Sequence, residues 1–333
     1  MSLDNAGELD ESQSPTAMTD TPQPAVEGFE LAYHFHTGPW KRVIDLQVAE
    51  IQKDMRRARA EGRLVVYLSC PISKRGGGHS LTNTSVARHV ERCLMQRWGE
   101  AFWILNPTAY QLESKAGMNR MTEVARANGI DLGDLLGRSQ PTGGDYMRMW
   151  TRVLVENDPI DSAPVNTGQC IDAFYFVGPS DVQSFFLSQG ETLTAGIEAY
   201  FARKFATDLQ FRKDYSVEPQ KVTGLDTDPD AKLAAQAKAQ ADADAEWSRR
   251  RRAFMRYYGL RASADFSVGS HDEWNIVRLL NRRRLEVSQV TARDGYLPGG
   301  DVGEQIAVYF DGRQVDPSSM IAPASPGNAP DAG

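Results

Sequence analysis

The chain has 333 residues, 41% of them hydrophobic and 24% charged, a balance that suits one large or two modest globular domains. No apolar run approaches the ~20 residues of a membrane-spanning helix, and the opening residues have neither the basic nor the apolar stretch of a secretory signal. The formal charge of −7 is local: seven of the 44 acids, and no Lys or Arg, lie in residues 1–40, leaving 37 acids against 37 bases elsewhere. Three distant cysteines (Cys70, Cys93, Cys170) fit neither a disulfide framework nor a zinc knuckle, so free thiols in a reducing cytoplasm are expected.

Residues 1–28 offer little to bury and are expected to form a disordered acidic tail. Order is expected to begin at Phe29, where Phe29, Leu31, Tyr33 and Phe35 alternate with smaller or polar residues, as in a half-buried strand or extended arm. His34 and His36 could offer two metal ligands, but the sequence places no third, and no metal site is expected. Ile44, Val48, Ile51 and Met55 then predict a helix over residues 41–60, stopped at Gly62.

Leu64–Leu68 reads as a buried parallel strand, followed by a glycine-rich loop and a helix from Thr82 or Thr84. A second strand spans residues 101–105 and ends at Asn106-Pro107; a helix follows over 145–156, a third strand over 171–177 and a helix over 192–207. The alternation predicts an α/β domain over 29–210, a flavodoxin- or Rossmann-like parallel sheet flanked by helices. Residues 211–317 read as a mainly helical extension: residues 228–246 are helical by propensity, and Ser270–Glu273 has the spacing of a capping box. A β-hairpin is expected around Asp311-Gly312-Arg313, and residues 318–333 are expected to be a flexible tail.

The strongest local chemical feature is Tyr67-Leu-Ser-Cys-Pro71 followed by Gly76–Gly78. Open α/β sheets bind ligands beyond the carboxyl ends of their strands, and glycines let backbone N–H groups approach a phosphate or sugar. The loop matches neither the P-loop nor the dinucleotide-binding glycine pattern.

Taken in order, VVYLSCPIS (65–73), WILNPTAY (103–110), GGDYMRMWTRVLV (143–155) and CIDAFYFVG (170–178), then a helix bearing Glu198, resemble the nucleoside 2-deoxyribosyltransferase-like family, which includes nucleotide N-glycosidases. The resemblance covers residues 63–207. It implies cleavage or transfer at the N-glycosidic bond of a nucleoside, nucleotide or NAD-like dinucleotide, without metal or other cofactor, by a homo-oligomer. Such cleavage passes through an oxocarbenium-like centre that a carboxylate can stabilise or trap, while a second acid protonates the departing base.

By this resemblance Glu198 is the nucleophile or stabiliser, with Glu191 as rival because Gly190 precedes Glu198 by eight residues where the family has about four; separately, Cys70 stands where the family has Gly before Pro. Asp145 or Asp172 would serve the base or orient the sugar, and Tyr67 would hydrogen-bond the Glu. Ser69, Gly76, Gly77, Gly78, Ser80 and Asn106 would line the substrate, with Lys74 and Arg75 for a phosphate. Each has a plain structural alternative: a solvated helix carboxylate for Glu198, an N-cap for Asp145, a strand start for Asp172 and core packing for Tyr67.

A different class of function competes. Between Ser248 and Leu285 ten arginines and three acids are interleaved with aromatic residues, and region 247–285 could contact phosphates and stack on bases of a nucleic acid. The same residues also suit pairing within the protein. No membrane partner is expected.

Overall fold

The computed structural model describes Ser14 and residues 16–72, 78–112, 114–156, 166–223, 229–263, 268–293 and 305–316. Its chain divides into two compact units: one from the described residues of Met1–Ser69, Cys93–Phe176 and Val268–Gly333, the other from those of Cys70–Arg92 and Val177–Ser267. The division does not fall at residue 210, where the change in composition had placed a boundary.

In the first unit, β1 (Gln23–Pro24) pairs antiparallel with β2 (Ala32–Tyr33). Residues 16–28 are therefore not the featureless tail expected from composition, and Ala25, Val26 and Phe29 are buried. Contacts beyond the segment offset the ordering entropy that the local sequence could not: Thr19 N–H donates to the Phe35 carbonyl at 3.0 Å, and Arg283 donates to the Gly28 carbonyl. Residues 1–13 lie outside the described residues.

Helix α1 (Gly38–Ala60) buries Ile44, Val48, Ile51 and Met55 as their spacing predicts, and Gly62 follows it at φ 75°. Then comes β3 (Leu64–Ser69), whose Val65, Val66, Tyr67 and Leu68 are all 0% exposed. A strand covered on both faces needs such a continuous apolar run, which an alternating pattern would not supply.

Helix α2 (Ser80–Trp98) starts earlier than expected and contributes to both units. It leads to β4 (Phe102–Leu105), a short 3-10 turn (Pro107–Ala109), α3 (Lys115–Ala127), α4 (Leu132–Arg138) and α5 (Gly143–Val155). β5 (Ala173–Phe176) follows, and α10 (Val268–Arg293), β6 (Ala307–Phe310) and β7 (Arg313–Gln314) complete the unit.

The five-stranded sheet has the order β4-β3-β5-β6-β7; the first four strands are mutually parallel and β7 is antiparallel to β6. Tyr67 sits opposite Leu105 on one side and Phe174 on the other. The expected hairpin forms, with Asp311 at φ 50° and Gly312 at φ 79°, the two positive values of a tight primed turn. It is not an appendage of a helical extension: β6 joins the parallel sheet beside β5.

The second unit holds α6 (Pro179–Leu187), α7 (Leu193–Thr207), α8 (Leu209–Tyr215), α9 (Pro229–Arg261) and the start of α2. Its core is aromatic: Phe254 contacts Tyr258 at 4.6 Å and Phe201 at 5.2 Å, and Phe186 meets Tyr258 at 5.3 Å between ring centroids. Gly196 permits the close approach of α6 and α7, since an added Cβ would lie 2.0 Å from the Phe186 carbonyl oxygen. Among the described residues, no helix is long and apolar enough to cross a membrane.

Candidate active site

Tyr67 and Ser69 lie two residues apart near the carboxyl end of β3, so alternation in the strand sends both side chains to the same face. There they meet Glu273 of α10. The Tyr67 hydroxyl donates to Glu273 Oε1 at 2.5 Å, and the Ser69 hydroxyl donates to Oε2. The Tyr67 ring is fixed by Trp150 at 5.5 Å and Phe174 at 5.4 Å. Trp274, next to the glutamate, packs 4.8 Å from Phe176.

Glu273 is only 7% exposed. Burial pushes its carboxyl up from 4.5 to about 7; the Ser69 and Tyr67 hydrogen bonds work against the rise, and the neighbouring Asp272 charge adds to it. Burial outweighs the two donors, and among the described residues no cation pairs with the carboxyl, so it exchanges its proton near neutrality. Such a group can stabilise a developing positive centre as an anion or give up a proton as an acid.

The expected capping box at Ser270–Glu273 is not formed. Helix α10 begins at Val268, so Ser270 is already inside it, and the Glu273 carboxyl is committed to Tyr67 and Ser69. Only the fold reveals this role: three acids stand in the stretch 248–285, and nothing in its sequence singles out one that reaches β3.

The other expected residues are placed differently. Glu198 belongs to the second unit, where it is exposed and pairs with Arg251 at 3.2 Å; Glu191 is exposed too. The Tyr67 hydroxyl was expected to hold Glu198 and instead holds Glu273. Asp172 accepts from the Val65 backbone N–H at 2.6 Å and pairs with Arg59 at 3.4 Å. It therefore joins the amino ends of β3 and β5, about 13 Å along the strand from Ser69.

Asp145 is buried and fully engaged. It accepts from the His36 backbone N–H and ring Nδ1, both at 2.7 Å, and from the Thr142 N–H and hydroxyl, both at 2.7 Å. Thr142 is the N-cap of α5 and Asp145 completes a capping box three residues on, instead of being the cap itself. Asn106 accepts from Thr108 N–H at 3.0 Å and caps the 3-10 turn. Among the described residues no cluster of three or more His, Cys, Asp or Glu could hold a metal ion.

Of the glycine loop, Lys74, Arg75, Gly76 and Gly77 lie outside the described residues. Gly78 faces Tyr257, and Ser80 opens α2. His79 is buried, with Nε2 3.0 Å from Asp214 and its backbone N–H donating to Tyr258 at 3.0 Å.

The basic stretch is largely occupied by intramolecular contacts. Arg249 and Arg250 pair with Glu246, and Arg251 with Glu198. Arg284 is buried against the carbonyls of Thr167 at 2.9 Å, Gly168 at 2.7 Å and Ile171 at 3.3 Å. The aromatic residues Phe254, Tyr258 and Trp274 are buried. Comparison with protein-family models, curated proteins and solved structures found no match to this chain.

Proposed function

We propose that the protein cleaves or transfers at the N-glycosidic bond of a nucleoside, nucleotide or NAD-like dinucleotide, with Glu273 as the carboxyl that stabilises or traps the glycosyl centre. The observation that carries this reading is the buried Glu273 carboxyl, raised to about 7 and held through both oxygens by Tyr67 and Ser69. The resemblance in sequence implies a tyrosine on the first strand holding a glutamate, and here Tyr67 has that partner from α10 instead of α7.

The order of the parallel strands supports a flavodoxin-like reading of the sheet. Counting these strands along the chain, β3 is first, β4 second, β5 third and β6 fourth, so their spatial order is 2-1-3-4. Successive connections then leave β3 in opposite directions, and ligands in such sheets bind at the carboxyl ends near this switch. Tyr67 and Ser69 stand at that end of β3.

In this reading the anionic Glu273 lies beneath the sugar as positive charge develops at its anomeric carbon. The Tyr67 and Ser69 hydroxyls fix the rotamer and keep enough of the carboxyl ionised near pH ~7 to act. The test is release of free base from a panel of nucleosides, nucleotides and NAD, followed by chromatography. Release should fall at least ~100-fold in Glu273→Gln and stay unchanged in Glu198→Ala. Absence of release from every substrate, or full activity in Glu273→Gln, would overturn the proposal.

A further inference from the structure

Residues 28–36 run along α5 and α10, and their partners on the two helices follow a steady order. Arg283 donates to the Gly28 carbonyl and lies 4.9 Å over the Phe29 ring, and Arg282 pairs with Glu30 at 2.8 Å. Further on, the Thr151 hydroxyl donates to the Tyr33 hydroxyl at 3.3 Å, Arg148 lies 4.7 Å over the Phe35 ring, and His36 is held by Asp145 at 2.7 Å. As numbers rise along this arm they fall along its partners, so it runs antiparallel to both helices.

The lengths agree with this course. From Gly28 to Tyr33 an extended chain advances about 16 Å, and from Arg283 back to Glu273 the helix advances about 15 Å. Tyr33 thereby reaches the start of α10. Burial pushes its phenol above the usual value, the Thr151 hydrogen bond works against the rise, and the Asp272 and Glu273 charges add to it, so both carboxyls are close by. Asp272 and Arg283, about three turns apart, share the face of α10 that the arm follows. The arm also presses on α5: a Cβ at Gly144 would lie 1.8 Å from the His34 carbonyl oxygen.

We infer that residues 28–36 are a strap laid across α5 and α10, and that Tyr33 is a positioning residue of the proposed site, shielding Glu273 from water. The inference rests on the reading of Glu273 as the working carboxyl. The Tyr67 and Ser69 hydroxyls favour its anion, so its high proton affinity has to come from exclusion of water on its other sides. Among the described residues, the titratable groups around it are Tyr67 on β3, Asp272 on its own helix and Tyr33 on the strap. Helix α5 brings the neutral Trp150 against Tyr67 and the neutral Thr151 against Tyr33.

Carbon-13 NMR of the full chain labelled at its glutamate carboxyls, with Glu273→Gln to assign the signal, reads the Glu273 titration without turnover. Wild-type protein should titrate at about 7. Gly144→Ala suits a helix and pushes the strap off α5, while Tyr33→Ala removes the shielding ring. In both, the midpoint should move down by at least ~0.5 on the pH scale, because water reaches the carboxyl and screens the Asp272 charge. Tyr33→Phe keeps the ring and should stay within ~0.2 of the wild type. On the proposed function, the acid limb of the pH profile of base release should move down with the midpoint. Tyr33→Ala decides alone if Gly144→Ala does not fold. An unchanged or higher midpoint in Tyr33→Ala, or an equal fall in Tyr33→Phe, would overturn the inference. Absence of base release with the midpoints as expected would overturn the proposed function alone, so the two failures are distinct.

Discussion

Glu273 makes the stability of the protein depend on pH in a direction unusual for a carboxyl. Its proton is held more tightly in the folded state, at about 7, than in the unfolded chain, near 4.5. Below the unfolded value both states are protonated and the group costs nothing. As pH rises from 4.5 through about 7, the unfolded chain releases the proton first, so folding loses stability progressively. The gap corresponds to about 3 kcal/mol once the folded carboxyl has ionised.

Glu273→Gln keeps the shape and removes the titration. Its stability between about pH 5 and 9 should therefore lack this fall, and the wild-type-minus-variant difference should shift by about 3 kcal/mol against the wild type over that range. Urea unfolding followed by circular dichroism at a series of pH values measures it. Tyr67→Phe removes a hydrogen bond that lowers the Glu273 value, and should carry the midpoint of the folded-state titration above about 7. Parallel pH profiles for wild type and Glu273→Gln, or a downward move of the midpoint in Tyr67→Phe, would refute the reasoning.

Replacing Arg284 with Met keeps bulk and strands the carbonyls of Thr167, Gly168 and Ile171; a loss of about 3 kcal/mol is expected from the same urea unfolding. Asp145→Ala removes the acceptor for His36 and for the first turn of α5, with an expected loss of about 3 kcal/mol and a matching drop in thermal midpoint. A loss below about 1 kcal/mol in either variant would show that solvent or neighbours replace the lost partner readily.

Local physics made much of the framework legible. The run Val65–Leu68 is apolar at every position, and only a strand covered on both faces can use it. The spacing of Ile44, Val48, Ile51 and Met55 fixed the buried side of α1, and Asp311-Gly312 specified a tight hairpin turn through their positive φ angles. Each depends on interactions within a few residues, and the order of residues encodes those directly.

The rest depends on partners far apart in the chain. Residues 16–28 look unable to fold because part of what holds them is distant: Arg283, 255 positions away, donates to the Gly28 carbonyl. The spacing of Ser270 and Glu273 predicted a helix cap; β3 instead supplied two hydroxyls across 206 and 204 positions, and burial then raised the carboxyl. Glu198 kept the helix that the sequence predicts, but an exposed position beside Arg251 leaves it an ordinary solvated ion pair. Sequence by itself determined the strands and helices with strong local patterns, such as α1, β3, β5 and α7, because propensity and periodicity are local. Which carboxylate is withdrawn from water was decided by tertiary structure alone, because desolvation is a property of everything packed around the group.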